Sequence, residues 1–435
     1  MNKRLYPWVL VSILSFNFGV VFFDRNAINF LMPLVQPELS LSNRQVGMLA
    51  SALALSWAFA GLFVGRLSDL LRRRKIILVV AAVIFSAASL LSGWVTSFAT
   101  LCAARMLMGL AEGGVMPITQ ALVASEVAPA HRGLAMGVAQ CFGSNLLGNF
   151  LGPVVAINFA LAYGWRHAFY LAAVPGIVAA CLLQWLVREP PAEPATPREA
   201  AASAIAASLK QRNVLVCIGM SILLVAFLLV FVTFAPLYLV KVRGMDPSVM
   251  GWLMSMWGLP SIAYAFAVPG ASDRFGRKPI VISMGLAAAL LPLSMLLALH
   301  AAWPLFVMFA LGAAVSGTFP LVMATIPSET VSNRELGTVL GLTMGLGEVV
   351  GGVLSPTIAG WIADAQGLRA TLWIMLGLSV AAAVLACFLE ETAPRVSAKR
   401  ALAGHPSLQA ASSDPITRMS DAHAALQTHG DSHQT

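Results

Sequence analysis

Residues 214–239 read VLVCIGMSILLVAFLLVFVTFAPLYL, a run without a single charged side chain. About 20 apolar residues cross the hydrocarbon core of a bilayer as a helix, so this stretch has the length and character of a membrane span. Working outward, further apolar runs lie near 8–33, 44–65, 76–95, 99–124, 133–160 and 168–187 on its N-terminal side. Others lie near 249–269, 279–299, 303–326, 336–362 and 370–389 on its C-terminal side. Of the 435 residues, 58% are hydrophobic and 11% charged, against about 25% charged in a soluble domain. The expected fold is therefore all-α and integral to a membrane, with twelve transmembrane helices in two pseudo-symmetric six-helix bundles. The bundles are expected at 1–187 and 214–390, joined by a polar, Pro/Ala-rich linker at 188–213. A low-complexity tail at 391–435 is expected to be disordered and cytoplasmic.

The first run, from Trp8 to Pro33 after Lys3 and Arg4, is too long for a signal peptide. It also carries Asp24 and Arg25 and lacks a small-residue cleavage site. It reads as the first span. The net charge of +8 does not indicate nucleic acid, because the basic residues sit in short clusters between apolar runs. With both termini in the cytoplasm, twenty of the 27 Lys and Arg fall on cytoplasmic segments and five on outer loops, while Arg25 and Arg105 lie inside helices. The positive-inside rule then fixes the orientation, expected to be in the cell inner (cytoplasmic) membrane. Trp8, Trp94, Trp165, Trp185, Trp303, Trp361 and Trp373 fall near helix ends, as an interfacial belt.

Chemistry-bearing motifs are scarce. Cys102, Cys141, Cys181, Cys217 and Cys387 are scattered singly through apolar segments. No metal-ligand spacing, phosphate loop or nucleophile elbow is present, so neither an enzyme nor a cofactor or metal is expected. A repeat is present. Ser125-Glu126 recurs as Ser328-Glu329, Gly152-Pro153 as Ser355-Pro356, Gly164-Trp165-Arg166 as Gly367-Leu368-Arg369, and Asp69 as Asp273, at offsets of 203 or 204. A constant offset at four places points to duplication of a six-helix unit, which places a substrate site at the interface of the halves.

The loop after the eighth run, Asp273-Arg274-Phe275-Gly276-Arg277-Lys278, resembles the signature loop of the major facilitator superfamily. The segment from Gly65 through Asp69 to Arg73, Arg74 and Lys75 is a degraded copy, with Leu70 where Arg is usual and Arg72 where Gly is usual. The resemblance covers about residues 5–390. It implies alternating access and a cytoplasmic latch involving Asp69, Arg73, Asp273, Arg274 and Arg277. A carboxylate there can meet a helix N-terminus and nearby guanidinium groups.

Five ionisable residues interrupt the apolar runs: Asp24, Arg25, Arg105, Glu112 and Glu348. Each costs about 2.5–3.5 kcal/mol at a helix centre unless it is compensated. Arg105 and Glu112 are seven apart and share one face of the fourth helix, as Asn17 and Asp24 share one face of the first. The first and fourth helices run in opposite directions, so Asp24/Arg25 and Arg105/Glu112 reach similar depth and can form one network of two acids and two bases. Glu348, in the eleventh helix, has no basic neighbour in sequence. A role in cation handling is open to it.

Phe22-Phe23-Asp24-Arg25, together with Arg105-x-x-x-Gly109-x-x-Glu112-Gly113, resembles the patterns of the anion:cation symporter branch, whose members carry sugar acids and other organic carboxylates, commonly with protons. By that resemblance Arg25 holds a substrate carboxylate, Asp24 and Glu112 are protonatable coupling residues, and Arg105 partners Glu112. Gln120, Asn145 and Asn149 are candidates for contacts to substrate hydroxyls, with interhelical hydrogen bonding as the alternative. The expected partners are a small organic anion, protons and the bilayer, with the monomer as the functional unit. A rival reading is a proton-driven exporter of hydrophobic compounds, from the fragment Gly148-x-x-x-Gly152-Pro153. A second rival is a transporter-like anion sensor that signals through its tail.

Overall fold

Long apolar runs become helices because a bilayer offers the backbone no hydrogen-bond partner but its own. The computed structural model describes residues 5–71, 73–128, 131–189, 211–297 and 302–393. Most of the expected linker and the tail from 394 onward lie outside the described residues, as does Arg72. In chain order the helices are α1 (Tyr6–Glu38), α2 (Asn43–Leu71), α3 (Arg74–Trp94), α4 (Phe98–Glu126), α5 (Arg132–Tyr163) and α6 (Trp165–Leu186). They continue as α7 (Arg212–Val242), α8 (Pro247–Phe275), α9 (Arg277–Leu296), α10 (Trp303–Thr330), α11 (Glu335–Gln366) and α12 (Arg369–Ala386). Ten of them, all but α2 and α8, are long and apolar enough to cross a membrane. The two others have 29 residues each, about 44 Å at 1.5 Å per residue. The protein is an all-helical, multi-pass membrane protein.

The duplicated sequence has a duplicated backbone. α5 widens to π-helical (i→i+5) hydrogen bonding over Ser144–Leu151, and α11 does so over Gly347–Leu354. In each case a proline follows two residues after the widened segment, Pro153 and Pro356. Proline has no N–H to donate and its ring presses on the carbonyl one turn earlier, which favours a wider turn. The turns after α5 and α11 both pivot on a glycine with positive φ, Gly164 (91°) and Gly367 (85°), a conformation open to glycine at little cost.

Within the N-terminal half, small residues bring helices close. Gly109 and Gly113 of α4 lie against the α2 backbone at Leu53 and Trp57, and Gly143 of α5 lies against the Ser15 carbonyl of α1. Between the halves, contact runs along α1/α7, α2/α11 and α5/α8 and is tightest on the far face, where α1 ends. There Asp364 accepts hydrogen bonds from the Asn43 and Arg44 backbone N–H groups at 2.7 and 2.9 Å, capping the start of α2 from the other half. Lys241 donates to Gln36 at 2.7 Å, Ser248 to Asn158 at 2.7 Å, and Thr357 to Ser51 at 2.8 Å. Gly47 sits directly on the Pro356 carbonyl, and Gly360 on Asn43. Toward the near face, where the chain begins, Gly133, Gly270, Gly341 and Gly345 have no atom within 4 Å of where a Cβ would stand. The polar contacts between the halves are thus gathered at the far face.

Trp8, Trp94, Trp185, Trp303, Trp361 and Trp373 are exposed near helix ends, as the belt requires. Trp165 departs from that expectation: it is buried, and its indole N–H donates to Glu38 at 2.5 Å. Glu38 also pairs with Arg166, so the start of α6 is used to fasten the end of α1. In a background with the native cysteines replaced by serine, Asn43→Cys with Asp364→Cys should cross-link readily. Adding Gly47→Val, whose side chain collides with the Pro356 backbone, should suppress that cross-link. Equal cross-linking with and without Gly47→Val would contradict the far-face packing.

Candidate functional site

The intramembrane charges cluster at mid-depth, around α1. Asp24 has no exposed surface, and Ser89 of α3 donates its hydroxyl to Asp24 Oδ1 at 2.6 Å. Arg105 of α4 is equally buried. Its Nη2 donates to Ser92 at 2.9 Å, and its guanidinium lies 5.8 Å from the centre of the Phe169 ring. Asp24 and Arg105 are within electrostatic reach of each other. Glu112 is 1% exposed, neither of its oxygens has a hydrogen-bond partner, and Arg25, Asp24 and Arg105 are its electrostatic neighbours. The two acids and two bases that helical spacing predicts at one level are thus brought together. The pattern of contacts differs from the one the resemblance implies: Arg105 bonds to Ser92, and no hydrogen bond joins it to Glu112.

Arg25 has the freer position. It is half-buried, with its guanidinium 5.4 Å from the Trp57 ring centre and 5.8 Å from that of Phe22. With Asn26, Asn29, Arg105 and Thr233 it lines a cavity of about 30 Å³ between α1, α2, α4 and α7, enough for water. Glu348, for which the sequence offers no partner, finds one in space. It enters from α11 in the opposite half and has Arg25 as its electrostatic neighbour. Its Oε2 lacks a hydrogen-bond partner.

Asn145 and Asn149 form a ladder of amides. Asn26 Nδ2 donates to Asn149 Oδ1 at 3.0 Å, Asn149 Nδ2 to Asn145 Oδ1 at 3.0 Å, and Asn145 Nδ2 to the Cys141 carbonyl at 2.9 Å. Both residues are therefore engaged in fastening α1 to α5. Gln120 is half-buried in α4. Sequence reasoning passed over Asn26, Ser89, Ser92, Trp57 and Thr233. Asn26 and Asn29, directly after Arg25 in an apolar helix, were the available signal; the serines carry none, since serine is common in spans.

The signature loop is held as a cluster. Arg277, 6% exposed, pairs with Asp273 at 2.6 Å and with Glu329 through two nitrogens at 2.7 and 3.2 Å. Glu391 accepts from the Arg277 and Lys278 backbone N–H groups at 2.7 and 3.3 Å, capping α9. The tail expected to begin at 391 thus starts with residues packed on this loop. Arg274 stands apart, exposed over the Phe275 ring. In the degraded copy, Glu189 accepts from the Lys75 N–H at 3.2 Å, Arg73 is exposed, and the Asp69 side chain lies outside the described residues.

The chain matches the model of the Major Facilitator Superfamily over residues 14–348 and 236–420. It is 26% identical over 407 residues to the hexuronate transporter of Bacillus subtilis, covering 86% of this chain and 92% of that one. It is 25% identical over 373 residues to the multidrug resistance protein MdtL of Klebsiella pneumoniae, covering 84% and 91%. Its fold is shared with the nucleoside transporter NupG, at a TM-score of 0.72 and 14% identity over 89% of this chain and 98% of that one.

Asn26→Ala and Asn149→Ala should each lower thermal stability in detergent. A double-mutant cycle should give a coupling of about 0.6–1.7 kcal/mol, the range for hydrogen bonds between membrane helices. Strict additivity would mean that the amide ladder contributes nothing to the α1–α5 seam.

Proposed function

Because this chain belongs to the Major Facilitator Superfamily, we propose that it is a secondary active transporter that imports a small organic anion, a sugar acid or other carboxylate, together with protons. The proposal takes α1–α6 and α7–α12 as two six-helix bundles that rock about the site. Both termini are taken as cytoplasmic, the bacterial inner membrane as the location and the monomer as the functional unit.

The observation that carries this reading is the contrast between two arginines. Arg105, also in the cavity lining, has no exposed surface and is bonded to Ser92 beside Asp24. Arg25 lines the cavity, held by two ring faces, with acids from both halves as its electrostatic neighbours: Glu112 and Glu348. In the empty carrier those acids balance Arg25. An incoming carboxylate takes their place on the guanidinium, and the displaced acid is left unpaired unless it takes up a proton. Leaving a charge buried without a partner costs several kcal/mol, so anion and proton enter together. Glu348 gives the C-terminal half a stake in the occupancy of Arg25, which links binding to rocking. The relation to a hexuronate transporter supports the anion class.

A second reading, export of hydrophobic compounds against protons, is favoured by the relation to MdtL and by the Gly148–Pro153 fragment. The test is proton movement in proteoliposomes that trap a pH dye and are challenged with a panel of sugar acids and other carboxylates. Internal acidification driven by one of these acids, absent in Arg25→Ala, is the expected result. Silence across the panel, with hydrophobic compounds moving protons the opposite way, would replace symport by export. Glu112→Gln should lose proton-driven accumulation, and retained accumulation would count against its coupling role. Glu348→Gln frees Arg25 of a competitor and should tighten anion binding by about tenfold, or 1.4 kcal/mol. Unchanged affinity would remove Glu348 from the site.

A further inference from the structure

Glu112 is 1% exposed, so solvent does not reach its carboxylate directly, and release of its proton needs a path. On α4, Arg105, Glu112, Thr119 and Glu126 follow one another at seven-residue intervals, each turned only about 20° from the last around the helix. On α1, Asn17 lies seven residues from Asp24, on the same face. α1 packs against the 115–126 segment of α4. Their near-face ends are level: Tyr6 has Glu126 as an electrostatic neighbour, and the Trp8 ring centre is 6.2 Å from that of His131.

At 1.5 Å per residue from those ends, Glu112 stands about 21 Å deep, Asn17 about 16 Å and Thr119 about 10 Å. The polar side chains therefore descend in steps that one or two water molecules can bridge. Asn17 and Thr119 are fully buried, and neither amide atom of Asn17 nor the hydroxyl of Thr119 has a hydrogen-bond partner. Buried polar groups of this kind are satisfied by ordered water. Leu14 and Val21 flank Asn17 along α1, and Val115, Ile118 and Leu122 flank Thr119 along α4; all belong to one buried apolar cluster.

We propose that Asn17 and Thr119 hold a file of water between α1 and α4, through which Glu112 exchanges its proton with Glu126 and the solution at the near face. The proton leaves the Glu112 carboxyl for the first water and hops along the file, leaving behind a carboxylate that faces Arg25, Asp24 and Arg105, with Asn17 and Thr119 as the polar groups along its path. At the mouth the titratable and charged groups among the described residues include Glu126, Tyr6, His131 and Arg188, the last over the Tyr6 ring, with Arg74 bonded to the Ala121 carbonyl and Arg132 to that of Val127. This path rests on the symport reading above and adds two residues, Asn17 and Thr119, that do not touch substrate.

The test uses the full-length protein in proteoliposomes with D-glucuronate as the probe, comparing wild type, Asn17→Leu, Thr119→Val, their combination and Thr119→Ser. Two rates are read: glucuronate-driven internal acidification, and counterflow of labelled glucuronate at equal pH on both sides. Counterflow requires folding, binding and rocking but no net proton release. The expected result is a loss of acidification of about tenfold or more in the double variant, counterflow within about twofold of wild type, and recovery in Thr119→Ser, which keeps the hydroxyl. Acidification at the wild-type rate in the double variant overturns the path and leaves symport standing. A parallel loss of both rates overturns it too, since the residues would then serve packing. If glucuronate is silent in wild type, the acid of the panel that drives acidification takes its place as the probe; silence with every acid of the panel overturns the symport reading and the path with it.

Discussion

A charge inside an apolar bundle must have its counter-charge close by, and this constraint organises the protein around α1. Asp24 and Arg25 are consecutive, so they leave α1 about 100° apart and cannot satisfy each other. Each has to find a partner on a different helix. Asp24 turns to α3 and α4, meeting Ser89 and Arg105. Arg25 turns to the seam between the halves, where Trp57, Glu112 and Glu348 surround it. The glycines that draw α4 against α2 and α5 against α1 let these partners approach.

Two kinds of electrostatics result. Asp24 and Arg105 have no exposed surface and are hydrogen-bonded to serines, although Arg105 also borders the cavity, and they suit a fixed structural pair. The Arg25 region is lined by ring faces and by acids from both bundles, and suits exchange of one anion for another. Ring faces attract a guanidinium without competing as anions, so Arg25 is kept in place while its counter-ion remains negotiable.

Much of this could be read from the chain. The apolar run at 214–239 and its neighbours fixed the membrane class, because length and absence of charge leave no other way to satisfy the backbone. The seven-residue spacing of Arg105 and Glu112 and the antiparallel run of the first and fourth helices allowed the four charges a similar depth, and they are electrostatic neighbours of one another. Long-range partners were not readable. Nothing local joins Glu348 to Arg25, or Asn26 to Asn149, because those pairings depend on how helices pack. Trp165 looked like a belt residue from its place at a helix end. Its burial follows from Glu38, a residue 127 positions away. Asn145 and Asn149 were open to substrate contact or interhelical bonding, because a sequence cannot say whether a polar side chain meets a neighbour or a ligand.

The matched widened turns at 144–151 and 347–354 bear on the history of the molecule. A π turn is an α-helix carrying one residue more than its pitch accommodates. Its recurrence at the same offset as the sequence repeat is what two copies of one six-helix unit would show if the extra residue preceded their doubling. On that view the soft joint in the fifth helix is older than the pairing of the halves, and the proposed rocking has one copy of it on each side of the seam.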